Sequence, residues 1–259
     1  MFLVLLTMNK PAFFNLKDDM IPAMTPQQEK LTKETNSPFK LYKEMAVGDV
    51  SLFKFIVYEI VQTLFSNIGC LLGLGLRSFT YPFLFAKCGA KVAFGKGIIL
   101  RNPAKVELGK KCLIDDYTVI DARGNDAKIV VGDYVSLGRG SALVAKNSQI
   151  VLGNGVNIGT NCRIATQSKV EIGESTLIAA YTYIGPGNHK AGDEEKPLIS
   201  QEMDIKGGVT IGKNVWIGTR ATILDGVTIG DGAIIGAHSF VTQDVPAGKK
   251  AVGTPARIL

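Results

Sequence analysis

Two histidines, His189 and His238, are the only side chains in this sequence whose ordinary pKa lies near neutrality. His189 lies in Gly185-Pro-Gly-Asn-His-Lys-Ala-Gly-Asp193, at the start of the longest interruption of an otherwise regular pattern, residues 186–204. An imidazole at the mouth of a loop beside a rigid frame is well placed to accept a proton from a hydroxyl group. His189 is therefore the candidate general base, and we expect His238 to be an exposed corner residue.

The frame around His189 is a repeat of six residues. An aliphatic residue recurs at every sixth position, and a small or acidic residue follows most of these aliphatic residues, as in Leu108-Gly109 and Ile217-Gly218. The members of the longest run are Ile205, Ile211, Ile217, Ile223, Ile229, Ile235 and Val241. Earlier runs come in threes: Leu108, Ile114, Ile120; Val131, Leu137, Leu143; Leu152, Ile158, Ile164; and Ile172, Ile178, Ile184.

A period of six fits neither an α-helix nor an alternating strand. It predicts short strands with a sharp turn at every sixth residue, so that three hexads close one triangular coil. The aliphatic side chains then point inward, and the stacked coils bury one continuous column. The predicted fold is mainly β, and extra residues at 121–130, 144–151 and 165–171 predict that insertions cluster at one corner.

Composition narrows the function classes. The chain has 259 residues, is 46% hydrophobic and 20% charged, and has 29 glycines with only 8% aromatic residues. These values exclude wholesale disorder and suit a repetitive fold with many turns. The net charge of +6 contains no basic block, which favours small anionic ligands over nucleic acid. Four cysteines without a Cys-x-x-Cys pair imply neither a zinc site nor a disulfide framework, and we expect them to be buried.

The distribution of apolar and charged residues predicts three segments. Residues 1–50 are interpreted as a loosely ordered arm, 51–89 as an α-helical apolar segment, and 90–259 as the β domain with its excursion at 186–204. No basic residue precedes the opening MFLVLLTM, so we expect a cytoplasmic protein rather than a secreted one. Residues 51–85 fit either a helical hairpin packed on the domain or a neighbouring subunit, or a peripheral contact with the inner face of the membrane.

The C-terminal motifs resemble a known family. They are Val209-Thr-Ile-Gly-Lys-Asn-Val-Trp-Ile-Gly-Thr219, Ile223-Leu-Asp-Gly-Val-Thr-Ile-Gly-Asp231 and Gly253-Thr-Pro-Ala-Arg257. Over roughly residues 90–259 the chain resembles the hexapeptide-repeat acyltransferases, in the branch of galactoside, maltose and surface-polysaccharide O-acetyltransferases. The resemblance implies a left-handed parallel β-helix, a homotrimer with active sites between neighbouring subunits, and acetyl-CoA as acyl donor. It implies no metal.

The resemblance also assigns roles to the catalytic candidates. His189 corresponds to the catalytic base, and Thr219 stands where a hydroxyl or backbone N–H meets the thioester oxygen. Asp193 is the nearest acidic residue that could orient His189. A solvated acidic cluster at 193–195, with a main-chain carbonyl orienting the ring, is an equal alternative.

Binding residues follow in the same way. By resemblance, Ala237 and Thr242 line the pantetheine and Arg257 lies near the nucleotide, while Thr219 contacts the cofactor at its thioester. We add Lys249 as a further basic residue that could meet a phosphate. Gln243 replaces a frequent lysine, which weakens one expected phosphate contact. The acceptor contacts are expected at Gln167, Tyr181 and Tyr183.

The resemblance implies an O-acetyltransferase acting on a sugar hydroxyl in surface-polysaccharide biosynthesis. An N-acetyltransferase for an amino sugar or an antibiotic is one alternative, and a non-catalytic trimeric scaffold is another. A γ-class carbonic anhydrase would need three histidines on zinc, more than the chain contains. A nucleotidyltransferase would need a glycine-rich nucleotide-binding domain, and residues 1–90 contain none.

Overall fold

The computed structural model describes Gln28 and residues 37–185, 188–190, 199 and 201–259. Its N-terminal part is helical: α1 spans Pro38–Ala46, α2 Leu52–Phe65 and α3 Cys70–Thr80, followed by a 3-10 turn at Tyr81–Leu84. The hydroxyl of Ser51 accepts from the Lys54 amide at 3.3 Å, which caps the first turn of α2. In these described ranges, no helix has both the length and the apolar character needed to cross a membrane.

Buried polar contacts join the helices to the first coil of the β domain. The phenol of Tyr58, on α2, donates to the Leu100 carbonyl at 2.8 Å. Arg77, on α3, is only 3% exposed, and its guanidinium donates to the carbonyls of Phe94 at 2.9 Å and Ile68 at 2.6 Å. Because the buried cation is surrounded by carbonyl oxygens, it fixes α3 against the coil.

In the part of the chain that the structure describes, twenty-three short strands form three sheets, and the chain visits the sheets in rotation. The first sheet contains Lys87–Cys88, Val106–Leu108, Lys128–Val131, Gln149–Leu152, Lys169–Ile172, Val209–Ile211 and Thr228–Ile229. The second contains Ala93–Phe94, Leu113–Ile114, Ser136–Leu137, Asn157–Ile158, Leu177–Ile178, Trp216–Ile217, Ile234–Ile235, Lys250–Gly253 and Ala256–Ile258. The third contains Ile99–Arg101, Val119–Arg123, Ala142–Lys146, Arg163–Thr166, Tyr183–Ile184, Thr222–Ile223 and Phe240–Val241.

The strands stack in parallel register, apart from the final antiparallel strand, Ala256–Ile258. The result is a left-handed parallel β-helix, whose triangular coils the six-residue period predicts and whose handedness the family resemblance implies. The register continues across the long interruption, because Ile172 pairs with Ile211 and Ile178 with Ile217. Two further short strands, Asn188–His189 and Met203–Asp204, lie outside the three sheets.

The repeated aliphatic residues form the core. Ile158, Ile178, Ile217 and Ile235 are all at most 1% exposed. Ile205 is the exception, because it is 49% exposed and precedes the first strand after the interruption. The expectation of buried cysteines holds for Cys112 and Cys162 but is wrong for Cys70, which is exposed on α3.

Three corners separate the sheets, and each is named by the sheets it joins. At corner 2–3, Tyr181, Arg220 and His238 adopt left-handed φ values of 62°, 58° and 60°. Each donates its backbone N–H to the coil below, and the bonds from Arg220 to Ala180 and from His238 to Thr219 measure 3.0 and 2.8 Å. Corner 3–1 is irregular, since it contains the predicted insertions and the point where the chain departs after Gly185.

The chain divides into two units. One consists of residues 1–36 with His189–Glu202, and the other of Ser37–Asn188 with Met203–Leu259. In the first unit, the Lys190 amide donates to the Glu202 carbonyl at 2.9 Å, and the side chains of these residues form an ion pair at 3.0 Å. The second unit contains helices α1–α3 and the β-helix.

Candidate active site

His189 is placed through its backbone, which belongs to the short strand Asn188–His189. The side chain of His189 and the whole of Asp193 lie outside the described residues. Their catalytic roles therefore stay predictions, and the site is built here from the β-helix residues.

Corner 2–3 brings Ala180, Thr219 and Ala237 into one column, each two residues after a strand position that pairs in register with the next coil. The carbonyl of Thr219 accepts the His238 N–H at 2.8 Å, and the guanidinium of Arg220 lies 5.4 Å from the centre of the Tyr181 ring. Half-buried Thr219 thus stands between half-buried Ala180 and exposed Ala237. The column therefore presents little side-chain bulk around Thr219.

Gly218 keeps this corner closely stacked. A Cβ at this position would lie 2.5 Å from the Ala237 amide nitrogen, closer than real Cβ contacts allow. The absence of a side chain therefore holds the backbone of Thr219 against the next coil. Within the described part of the chain, the Thr219 hydroxyl has no hydrogen-bond partner, so it is available to a ligand oxygen.

The last coil and the C-terminal hairpin carry the other proposed cofactor residues. Thr242, Lys249 and Arg257 are all exposed. Arg257 pairs with Val252 across the antiparallel hairpin and lines a cleft of about 220 Å³ together with Gln243. Exposed cations at this end of the β-helix can bind an anionic group.

The three proposed acceptor residues do not share one corner. Gln167 is half-buried at corner 3–1, whereas Tyr181 is 53% exposed at corner 2–3. Tyr183 lies on the third sheet, and its hydroxyl covers Gly185, where a Cβ would approach it to 2.3 Å. Tyr183 therefore borders the departure point of the interruption.

Asp225 is a structural residue that sequence reasoning missed. Its carboxylate is 8% exposed and accepts from the amides of Lys206 at 2.5 Å and Gly208 at 2.7 Å, and from the Ser168 hydroxyl at 3.1 Å. These bonds tie the returning chain to the coil on which it re-enters the helix. The signal was present in Ile223-Leu-Asp-Gly226, where an acidic residue occupies a turn.

Trp216, the single tryptophan, is 52% exposed on the outer face of the second sheet. Leu177 and Ile234 flank it in register on the neighbouring coils. The three side chains form an outward apolar row. Among the described residues, no group of three or more His, Cys, Asp or Glu side chains could hold a metal ion.

Comparison with known proteins identifies the family. Residues 208–243 match the family described as bacterial transferase hexapeptide (six repeats). The chain is 32% identical over 142 residues to WbbJ of Escherichia coli K12, named as a lipopolysaccharide biosynthesis O-acetyl transferase. That match covers 52% of this chain and 72% of WbbJ. The chain therefore belongs to the hexapeptide-repeat transferase family, as its motifs predicted.

Two further comparisons extend this result. Rv3034c of Mycobacterium tuberculosis, named as an acetyltransferase, is 34% identical over 133 residues, or 51% of this chain. The match spans only 44% of Rv3034c. The crystal structure of the polysialic acid O-acetyltransferase OatWY has a TM-score of 0.50 at 21% identity, covering 67% of this chain and 86% of that one. This likeness confirms the fold alone.

Proposed function

We propose that this protein is an acetyl-CoA-dependent O-acetyltransferase that acts on a sugar hydroxyl in surface-polysaccharide biosynthesis. The observation that carries the proposal is the similarity to WbbJ, which includes most of that relative's length. The stacked column at corner 2–3 supports it, because the half-buried Thr219 hydroxyl lies beside the small, exposed Ala237. We place the reaction in the cytoplasm, where acetyl-CoA is available.

The reaction needs one base and one oxyanion donor. Neutral His189 takes the proton of the acceptor hydroxyl as that oxygen attacks the thioester carbonyl. The hydroxyl or backbone N–H of Thr219 donates to the developing oxyanion. When the carbon–sulfur bond breaks, the imidazolium returns the proton to the leaving sulfur, which gives the acetyl ester and the free thiol. Asp193 orients the imidazole in this scheme.

The donor binds along corner 2–3 and the end of the helix. Ala237 and Thr242 line the pantetheine, and the exposed cations of Lys249 and Arg257 face the phosphates. Gln167, Tyr181 and Tyr183 contact the sugar. The cofactor assignments are supported by the family resemblance and by the exposure of Thr242, Lys249 and Arg257. The acceptor assignments are supported only by the expected position of these residues opposite His189.

A homotrimer completes the site in this proposal. The interruption departs at corner 3–1, whereas Thr219 lies at corner 2–3, with the Thr222–Ile223 strand of the third sheet between the two corners. A neighbouring copy could present its own interruption to this corner. Light scattering should give three times the mass of the chain, and a monomer at micromolar concentration would contradict this arrangement.

The direct test is release of free thiol from acetyl-CoA in the presence of a panel of sugars and oligosaccharides. We expect acceptor-dependent release, with His189→Ala lowering kcat/KM by about a hundredfold or more. His238→Ala is the matched control and should have a much smaller effect. kcat/KM should rise with pH through one ionisation near neutrality, because only neutral imidazole accepts a proton. Full activity of His189→Ala would remove the proposed mechanism.

A further inference from the structure

The outer face of α2 is apolar although its inner face already packs on the β-helix. Phe55, Tyr58 and Val61 are the buried residues of this helix. The exposed stripe follows helical spacing and consists of Phe53 at 74%, Ile56 at 46%, Ile60 at 50% and Leu64 at 57% exposure. A helix that is apolar on both sides is expected to contact something on both sides.

The following helix and turn extend this apolar surface. Leu71, Leu72, Phe79 and Phe83 are between 68% and 81% exposed. The rings of Phe79 and Phe83 meet edge to face with their centres 6.1 Å apart. Together with the α2 stripe, these residues define the helical platform. Clustered exposed apolar residues of this kind mark an interaction surface.

A cleft opens into the platform. It has a volume of about 550 Å³ and is lined by Val50, Phe53, Val57, Phe83, Phe85 and Pro103, with Lys54 also at its wall. This volume is typical of a site for a small apolar ligand. Phe53 and Phe83 contribute both to the cleft and to the exposed platform, so the cleft and the surface are continuous.

Charge distinguishes between two possible partners of the platform, a second copy of this chain and a lipid surface. Residues 37–91 contain five lysines and Arg77 against three acidic residues, and the whole chain has a net charge of +6. Arg77 is buried against carbonyls, and the carboxylate of Glu59 accepts from the Tyr42 phenol at 2.7 Å. Glu59 keeps its negative charge in this bond, so the exposed charge of the segment is a net excess of lysines over acidic residues, with Lys54 at the wall of the cleft. A second copy docked face to face would bring Lys54 against the same cation, whereas an anionic lipid surface complements it.

We propose that the helical platform docks on an anionic lipid surface, with the cleft beside Phe53 and Phe83 accepting a lipid acyl chain. Aromatic and leucine side chains then enter the acyl boundary while Lys54 remains at the headgroups. In a trimer with parallel columns, three platforms lie at the same end, so modest affinity per copy adds up. The proposal goes beyond the acetyl transfer and is independent of it.

Vesicle sedimentation of the full chain tests the docking. We expect binding to vesicles of phosphatidylglycerol mixed with phosphatidylcholine, weaker binding in high salt, and little binding to phosphatidylcholine alone. The double change Phe53→Ser, Phe83→Ser should weaken binding at least about tenfold. Lys54→Glu should weaken it about fivefold or more, since one cation near an anionic surface contributes about that factor. Leu113→Ser, at an exposed apolar position outside the platform, is the control and should bind normally.

Two further measurements make each outcome decisive. Light scattering should give all variants the mass of the parent protein, and thiol release with a soluble sugar should stay unchanged. Absence of wild-type binding to anionic vesicles, or equal binding by the double variant, would overturn the proposal. A changed mass with unchanged vesicle binding would instead assign the platform to contact between copies. Loss of thiol release in every protein would count against the proposed function and leave the docking result standing.

Discussion

The β-helix and the helical platform use the same aliphatic residues in opposite ways. In the β-helix, Ile217 and Ile235 are at most 1% exposed, because each sixth position turns into the shared column. On α2, Ile56 and Ile60 are 46% and 50% exposed. The repeat therefore places its aliphatic side chains in the core, whereas part of the apolar surface of the platform stays exposed after the helices have packed on the β-helix. A regular pattern of isoleucines identifies a core only where the backbone turns every member inward.

The largest expected effect contrasts one isoleucine from each region. Ile217→Ala should lower the free energy of unfolding by about 2–5 kcal/mol, because it empties a fully buried site whose rigid coils cannot collapse. Ile60→Ala should change it by less than about 0.5 kcal/mol, because half of this side chain is already in water. Denaturant titration of both variants measures the difference. Equal losses would mean that the platform is structural core and would break the comparison.

A smaller effect contrasts two glycines. Gly218→Ala should cost about 1–3 kcal/mol, because the new Cβ would press on the backbone of the next coil. On α3, a Cβ at Gly75 would meet nothing within 4 Å. Gly75→Ala should therefore stabilise the protein by about 0.5–1 kcal/mol through helix propensity. Thermal unfolding of the two variants should move in opposite directions, and a stabilising Gly218→Ala would show that the corner is looser than the structure indicates.

Sequence reasoning was most reliable where one physical rule repeats. The six-residue period predicts the three sheets and the insertion corner, because every coil must satisfy the same packing. It fails at Ile205, where the periodic position falls before the chain has returned to the first sheet. Nor does it predict the Asp225 bonds, since the partners of that carboxylate lie 57 residues away at Ser168 and 17 residues away at Gly208. The exposure of Cys70 depends on which face of α3 turns outward, and the composition of that segment does not encode it.

The next effect separates the regular corners from the corner that carries the interruption. Asp225→Ala should cost about 1–2 kcal/mol, because the buried Gly208 amide, the partly buried Lys206 amide and the Ser168 hydroxyl lose a charged acceptor. It should also speed cleavage by trypsin after Lys206, whose amide this carboxylate holds. Asp231→Ala is the control, since its exposed carboxylate accepts one backbone amide, from Lys213 at 2.7 Å. Equal cleavage rates in the two variants would show that the return of the chain is held by something other than Asp225.

The smallest expected effect is a difference in thiol reactivity between the two regions. It does not change the stability of the protein at neutral pH. Cys70 is exposed on α3, whereas Cys112 and Cys162 are buried in the β-helix. Burial raises the pKa of the thiols of Cys112 and Cys162, and it raises the pKa of Cys88 to about 11. Because the thiolate is the reactive form, iodoacetamide at pH 8.5 should label Cys70 first, as mass spectrometry of digested protein would show. Labelling of Cys88 should increase only as the pH rises towards 11. The free energy of unfolding should fall over the same range, because the folded protein disfavours the thiolate of Cys88 more than the unfolded chain does. The variant Cys70→Ser should lack this first, fast labelling by iodoacetamide. Fast labelling of Cys112 or Cys162 in the folded protein would mean that the coils open readily, and the contrast between a closed column and an exposed platform would then be lost.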